Sequence, residues 1–332
     1  MSDRYKALVA EEKEQGQFVY EIKTIPLSAL PENEVLIKVK YSSLNYKDAL
    51  SASGNRGITR HYPHTPGIDA CGEVVSSSVG SFKAGDRVLV CGYDLGMNTF
   101  GGFGQYIRVP ASWVMPLPEG LICMESMMLG TAGFTAGLAL TMMERNGQRP
   151  ENGPVLVTGA GGGLGSLAIA ILSKAGYPVI AASGKHQDKD YFSALGASEI
   201  IPREQVDDLS GKMLLRPRWA GAIDTVGGNI LSTAARACQR HGNIAVCGNA
   251  ASHELPLTVF PFILNGINLL GIDSATCPMP LRRQIWERLS REWKPATLDK
   301  IAEMITLEEL PRNISKILKG EIKGRKVVKI ED

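Results

Sequence analysis

Little in these 332 residues favours one sign of charge. Lys and Arg total 36 against 34 Asp and Glu, a formal net charge of +2. No broad field is therefore available to recruit nucleic acid or an anionic membrane. The six cysteines, Cys71, Cys91, Cys123, Cys238, Cys247 and Cys277, include no Cys-x-x-Cys pair. No Cys/His cluster has the spacing of a zinc site, so no metal is expected. Six reduced, mostly buried thiols of a cytoplasmic protein are the expectation. The opening stretch, MSDRYKALVAEEKE, is charged and lacks the apolar core of a signal peptide. There is no internal repeat. One segment imitates a membrane span, because Ser126 to Met143 is uncharged. It is barely long enough to cross a bilayer and contains Gly130, Gly133 and Gly137, so a buried helix is expected instead.

What is present is ordinary globular composition, 44% apolar and 21% charged, in a chain long enough for two domains. The first part reads as short strands, "EVLIKVKYSSL" (34–44), "GEVVSSSV" (72–79) and "DRVLVCG" (86–92), punctuated by Gly and Pro. From about Pro150 the rhythm changes. Apolar strands at 154–160, 178–183, 198–203, 220–228, 243–248 and 268–274 alternate with helical stretches. That alternation predicts an α/β fold with a parallel, doubly wound sheet. A helix around "RRQIWERLS" and a strand "RKVVKIED" fall outside the alternation and are expected to rejoin the N-terminal domain. The predicted division is 1–125 completed by 276–332, and 126–275.

The strongest local signal is "VTGAGGGLGSLA" (157–168), a strand, five glycines in nine residues and an apolar helix start. Against the dinucleotide fingerprint G-x-G-x-x-G it reads Ala160-Gly161-Gly162-Gly163-Leu164-Gly165, with alanine at the first glycine. Gly162 lets a pyrophosphate approach the backbone, and Gly165 lets the helix pack close to the strand. The unpaired N–H groups at the helix start, around Gly163 and Leu164, suit phosphate oxygens. At the end of the second strand an NAD site places Asp or Glu for the ribose hydroxyl. Here that corner is Ser183-Gly184-Lys185-His186, a hydroxyl and a cation that suit a 2′-phosphate. Arg203, after the third strand, can converge on the same phosphate. The sequence thus favours NADPH. Solvated surface charge is the competing reading of Lys185 and Arg203.

With these residues in view the chain resembles the medium-chain dehydrogenase/reductase superfamily. Zinc alcohol dehydrogenases of that superfamily carry a ligand Cys and a later Gly-His-Glu. The matching stretches here read "SSLNYKDAL" (42–50) and "PGIDACG" (66–72), with Asn45 in place of Cys and Ile68 in place of His. An alkyl group donates nothing to zinc. The finer resemblance is to the zinc-independent quinone oxidoreductases and acrylyl-CoA reductases. It is carried by those stretches with "GTAGFTA" (130–136), "VTGAGGGLGS" (157–166), "SGK" (183–185), "GAIDTVGG" (221–228), "PFIL" (261–264), "GIDS" (271–274) and "GRKVVK" (324–329). Family members usually have Ser or Thr at Gly161, Val at Leu164 and often Arg at Lys185.

The resemblance implies a GroES-like, mainly β catalytic domain, a Rossmann domain, a homodimer and metal-free reduction of an activated double bond by NADPH. Such a reaction adds hydride to the β-carbon of an enoyl thioester. Neutral donors stabilise charge on the thioester oxygen, and a proton reaches the α-carbon. The catalytic candidates are Asn45, for its amide, and Tyr46, for a proton or a cofactor contact. Asp48 is read as capping a helix beginning near Ala49, and Asp69 as orienting its neighbours. Further cofactor candidates are Thr131 and Thr135, four apart on one helical face. Gly248, Ile272 and Ser274, at strand C-termini, and Arg325 complete the set. Arg56 and Arg60 can meet CoA phosphates or remain solvated. Quinone or enone reduction and a non-catalytic NADPH-binding role are the alternatives.

Overall fold

The computed structural model describes residues 3–14 and 16–331. The leader reading therefore lies outside the described residues at Met1 and Ser2. The chain opens with strands β1 (Arg4–Glu12), β2 (Phe18–Pro26) and β3 (Val35–Leu44) and helix α1 (Tyr46–Ala52). Strands β4 (Asp69–Ser77), β5 (Arg87–Cys91), β6 (Tyr106–Val109) and β7 (Met115–Pro116) follow, then helix α2 (Cys123–Arg145). The middle alternates β8 (Val155–Val157), α3 (Gly163–Lys174), β9 (Val179–Ser183), α4 (Lys189–Ala194) and β10 (Glu199–Pro202). It continues with β11 (Trp219–Asp224), α5 (Gly228–Arg236), β12 (Cys238–Val246), α6 (Phe260–Asn265) and β13 (Asn268–Gly271). The tail holds α7 (Met279–Ser290), α8 (Leu298–Ile301), β14 (Ala302–Thr306), α9 (Leu310–Leu318) and β15 (Arg325–Lys329).

Two compact units result. The first comprises the chain up to Thr131 with Ala275–Glu287 and the segment from Ala302 on; the second comprises Ala132–Ser274 and Arg288–Ile301. The tail expected to rejoin the N-terminal part is thus interrupted, because Arg288–Ile301 belongs with the second unit.

In the first unit a sheet runs in the order β14-β15-β3-β4-β5-β7, with β6 also paired to β3. All pairings are antiparallel except β14 with β15. Val35, Ile37 and Val39 from β3, Val88 and Val90 from β5, Phe103 and Ile107 are buried together. Burying one such side chain removes about 1.5–3 kcal/mol worth of apolar surface from water. The β1–β2 hairpin, paired from Arg4↔Pro26 to Glu12↔Phe18, has no counterpart in the sequence reading. Its second strand alternates partly buried Phe18, Tyr20 and Ile22 with exposed Val19 and Glu21, and apolar Val19 on the outer face weakens the period-two signal. One expectation fails outright. Cys71 and Cys123 are joined by a disulfide with Cα atoms 5.4 Å apart, inside the usual bridging range. Cys91, Cys238, Cys247 and Cys277 take part in no disulfide among the described residues.

In the second unit six parallel strands run β10-β9-β8-β11-β12-β13. Counted within the unit this is the order 3-2-1-4-5-6 of a Rossmann sheet, with its switch point between β8 and β11. β8, β9 and β11 are buried along their whole length, as strands covered on both faces must be. Helix α2 is long and apolar enough to cross a membrane by composition. In the fold, 89% of its apolar window is buried.

Candidate functional site

The second unit collects its candidate residues at the C-terminal edge of its sheet. After β8 the chain turns at Gly159, whose φ of +59° is a left-handed value. A Cβ there would lie 2.2 Å from Thr225 Oγ1. The tight-turn glycine therefore sits one place before Ala160, which explains how alanine is tolerated at the first fingerprint position. Gly162 caps α3 and is exposed. The N–H groups of Gly163, Leu164 and Gly165 precede the first i→i−4 bond, from Ser166 N–H to Gly162 O at 2.9 Å. A Cβ on Gly165 would stand 2.4 Å from Gly159 O and 2.8 Å from Ala160 Cα, so only glycine lets α3 pack this close.

The corner after β9 gathers the predicted cations. Lys185 N–H donates to Ser183 Oγ at 3.0 Å. The Arg203 side chain lies alongside Gly184, and a Cβ at Gly184 would be 3.4 Å from its Cδ, Nε and Cζ. Arg203 is largely exposed and pairs with Glu204 at 3.3 Å. Tyr191, which the sequence did not single out, donates to Ser166 Oγ at 2.8 Å and ties α4 to α3. Gly248 follows β12, and Ile272 N–H donates to Val246 O at 3.1 Å just past β13. Thr135 Oγ1 donates to Ser274 Oγ at 2.8 Å. These donors fit a dinucleotide: bare backbone at Gly162, a helix start rich in N–H groups, and two cations beside Ser183.

The first unit carries a different arrangement, a closed network of buried polar groups. Asn45 caps α1 and Asp48 is its third residue, accepting from Asn45 N–H at 2.7 Å. The helix thus begins at Tyr46 rather than near Ala49, and Asp48 is a capping-box partner rather than the cap. Its other oxygen accepts from Ile68 N–H at 2.8 Å. Asp69, fully buried at the start of β4, accepts from Ser43 Oγ at 2.6 Å and Asn45 Nδ2 at 2.8 Å. It also accepts from Thr131 N–H at 3.0 Å and Thr131 Oγ1 at 2.6 Å. That last pair depends on Gly130, where α2 is kinked at φ +51°. A Cβ at Gly130 would fall 2.5 Å from Arg325 Nη2 and 2.6 Å from both Asp69 Oδ2 and Ser43 Oγ. Any side chain would displace the helix from the network. Burial, and then the charge of Asp69, push the Asp48 carboxyl up to about 7.

This network revises several expectations. Arg325 is 3% exposed. It donates to Asn45 Oδ1 at 2.9 Å, Ser43 Oγ at 2.7 Å and Leu44 O at 3.4 Å, with Asp69 at 3.7 Å. Its guanidinium serves the network, not a cofactor. Asn45 likewise commits its amide N–H groups to Asp69, Asp48 and Ser43 O, so it positions the turn instead of reaching outward. Thr131 and Thr135 have separate partners, Asp69 and Ser274, and do not work as a pair in this structure. Arg56 is engaged by Glu12, Arg60 O, and the rings of Phe18 and Tyr62, and is not a free loop cation. Tyr46 alone of the two catalytic candidates faces outward, with half its surface exposed. Sequence reasoning missed Ser43 and Gly130, whose roles appear only when β3, β4, α2 and β15 meet. Among the described residues no group of three or more His, Cys, Asp or Glu side chains is placed to hold a metal ion.

Comparison with known proteins matches residues 31–119 to the alcohol dehydrogenase GroES-like domain and 163–292 to the zinc-binding dehydrogenase family. The chain is 46% identical to "Putative quinone oxidoreductase YhfP" of Bacillus subtilis, covering 99% of this chain and all of that one. It is 42% identical to "Acrylyl-CoA reductase AcuI" of Ruegeria pomeroyi, over 98% and 99%. Escherichia coli YhdH, solved with bound NADPH, superposes with a TM-score of 0.94 at 40% identity, covering 98% and 100%. B. subtilis YhfP, solved with NAD bound, superposes with a TM-score of 0.96 at 46% identity, covering 99% and 100%.

Proposed function

Since the chain belongs to the medium-chain dehydrogenase/reductase family, we propose that it is an NADPH-dependent reductase of activated carbon–carbon double bonds, acting on acrylyl-CoA to give propanoyl-CoA. The observation that carries this is the 42% identity to an acrylyl-CoA reductase along essentially the whole of both chains. Gly162, Gly163, Leu164 and Gly165 would hold the diphosphate, and Ser183, Gly184, Lys185 and Arg203 the 2′-phosphate. Gly248, Ile272, Thr135 and Ser274 would line the nicotinamide end. NADPH, when bound, supplies the hydride.

The chain's own contribution follows from its network. Asn45 is held by Asp48, Asp69 and Arg325, which fixes the first turn of α1 and with it Tyr46. The Tyr46 hydroxyl is a neutral donor for the thioester oxygen, where charge develops as the β-carbon is reduced. No metal is needed, because conjugation already makes that carbon electrophilic. The α-carbon takes its proton from solvent or from Tyr46.

Quinone or enone reduction is the second reading, favoured by the name of the 46% identical relative. We further read the protein as a cytoplasmic homodimer that binds neither nucleic acid nor membrane. The dimer reading is supported by β13, an edge strand of its sheet among the described residues, and by exposed Ile263 and Leu264 of α6. Initial rates of NADPH oxidation with acrylyl-CoA, cyclic enones and benzoquinones test the proposal. Preference for the thioester is expected, and rapid turnover of quinones with none of acrylyl-CoA overturns it.

A further inference from the structure

We propose that Cys71 and Cys123 are a reversible thiol–disulfide pair through which oxidants tighten the Asp69 network and reductants loosen it. The bond joins β4 to the first residue of α2. The same two elements meet again eight residues later, where Thr131 donates to Asp69 through both its N–H and its hydroxyl. Residues 123–131 are therefore anchored to β4 at both ends. Cys71 follows Asp69 by two places in β4, so both side chains leave the same face of the strand. A covalent anchor on one is mechanically next to the other.

The three cysteines of this region are chemically unequal. Cys71 is fully buried, whereas Cys123 is partly exposed at the start of α2. Cys91, opposite Asp69 in the β4–β5 register, is also buried, and burial raises its thiol well above the ordinary value, which keeps it unreactive. Cys123 is thus the thiol an oxidant reaches first and Cys71 its resolving partner. With hydrogen peroxide the Cys123 thiolate takes one oxygen to become a sulfenic acid, releasing hydroxide. The Cys71 thiol then displaces water to close the bond. Two thiols and one peroxide give one disulfide and two waters. A dithiol reverses the step by exchange, becoming the cyclic disulfide itself. Bridges of this kind in a reducing compartment are usually transient and redox-sensing.

The test uses the full chain, treated with hydrogen peroxide or with dithiothreitol, then denatured and alkylated with N-ethylmaleimide. After peroxide Cys71 and Cys123 should escape alkylation together, and after dithiothreitol both should be labelled. Hydrogen exchange in residues 123–131 should quicken about tenfold on reduction, a local opening without global unfolding. These two readouts need no substrate, so they stand apart from the reductase reading. The kinetic arm rests on that reading: reduction should lower kcat with acrylyl-CoA about threefold while leaving the KM for NADPH unchanged. In Cys123→Ser, whose serine sits at a partly exposed helix start, exchange and kcat should no longer respond to either reagent. Free thiols at both positions after peroxide overturn the proposal. So does unchanged exchange in 123–131 between the two states, or a response that survives in Cys123→Ser.

Discussion

The two units solve the problem of building a site in opposite ways. In the second, the working groups are backbone: Gly159 for the turn, Gly162 for access, Gly165 for close packing, with cations added at partly buried Lys185 and exposed Arg203. In the first, they are side chains that satisfy one another out of water, Arg325 on Asn45 and Ser43, Asp69 on Thr131 and Asn45. An open site can lose one contact and remain standing. A closed network cannot, because each member left behind is a buried unpaired group.

That contrast predicts where damage is greatest. Arg325→Ala removes the buried counter-charge of Asp69 and the donor to Asn45 Oδ1 and Ser43 Oγ, and should cost about 3–5 kcal/mol, read from the urea midpoint at constant m-value. Should the loss be under about 1 kcal/mol, the network is not the closed unit described here. Gly165→Val drives a side chain into Gly159 O and Ala160 and should cost about 1–3 kcal/mol of packing, weakening NADPH binding roughly ten- to a hundredfold. Unaltered NADPH affinity would show that the α3 start does not touch the cofactor.

Smaller effects sharpen the comparison. The folded Asp48 carboxyl titrates near 7, above its ordinary value of 3.8. The folded state therefore binds its proton more tightly than the unfolded state does. Its contribution is fully present below about pH 4 and is lost as pH rises toward 7, with a slope of at most about 1.4 kcal/mol per pH unit. Asp48→Asn should flatten that part of the stability profile; an unchanged slope would place its source elsewhere. Lys185→Ala, by contrast, removes one partly buried cation and should raise the KM for NADPH only about three- to tenfold, sparing NADH. Equal effects on both nucleotides would contradict the phosphate role. The smallest effect expected is none: a chelator should leave turnover unaltered, and its abolition by EDTA would refute metal-free catalysis.

The same difference explains what the sequence made legible. The Rossmann half is written locally. Each βα unit carries its own apolar strand and helix, and the glycine run lies within a dozen residues. Even there, the residue that makes the turn is Gly159, with its φ of +59°, one place before the alanine at the first fingerprint position. The network in the first unit is spread over β3, β4, α2 and β15. Asn45, Thr131 and Arg325 could be picked out singly, but nothing in their spacing shows that they bond Asp69 or one another. Gly130 looked like one more small residue in an apolar helix until its neighbours were Arg325, Asp69 and Ser43. The Cys71–Cys123 bond escaped for the same reason, since the two cysteines are 52 residues apart. In the β1–β2 hairpin the inward side chains of β2 are only partly buried, and apolar Val19 on its exposed face weakens the alternation that would mark it as a strand.

Calorimetric titration of the unliganded chain with NADPH and then with NADH, at one salt concentration, decides whether the glycine turn and the corner after β9 form an NADPH site. One site per chain should take NADPH at least tenfold more tightly than NADH, with the preference shrinking in Lys185→Ala. Equal affinities for the two nucleotides, or no heat with either, would contradict it.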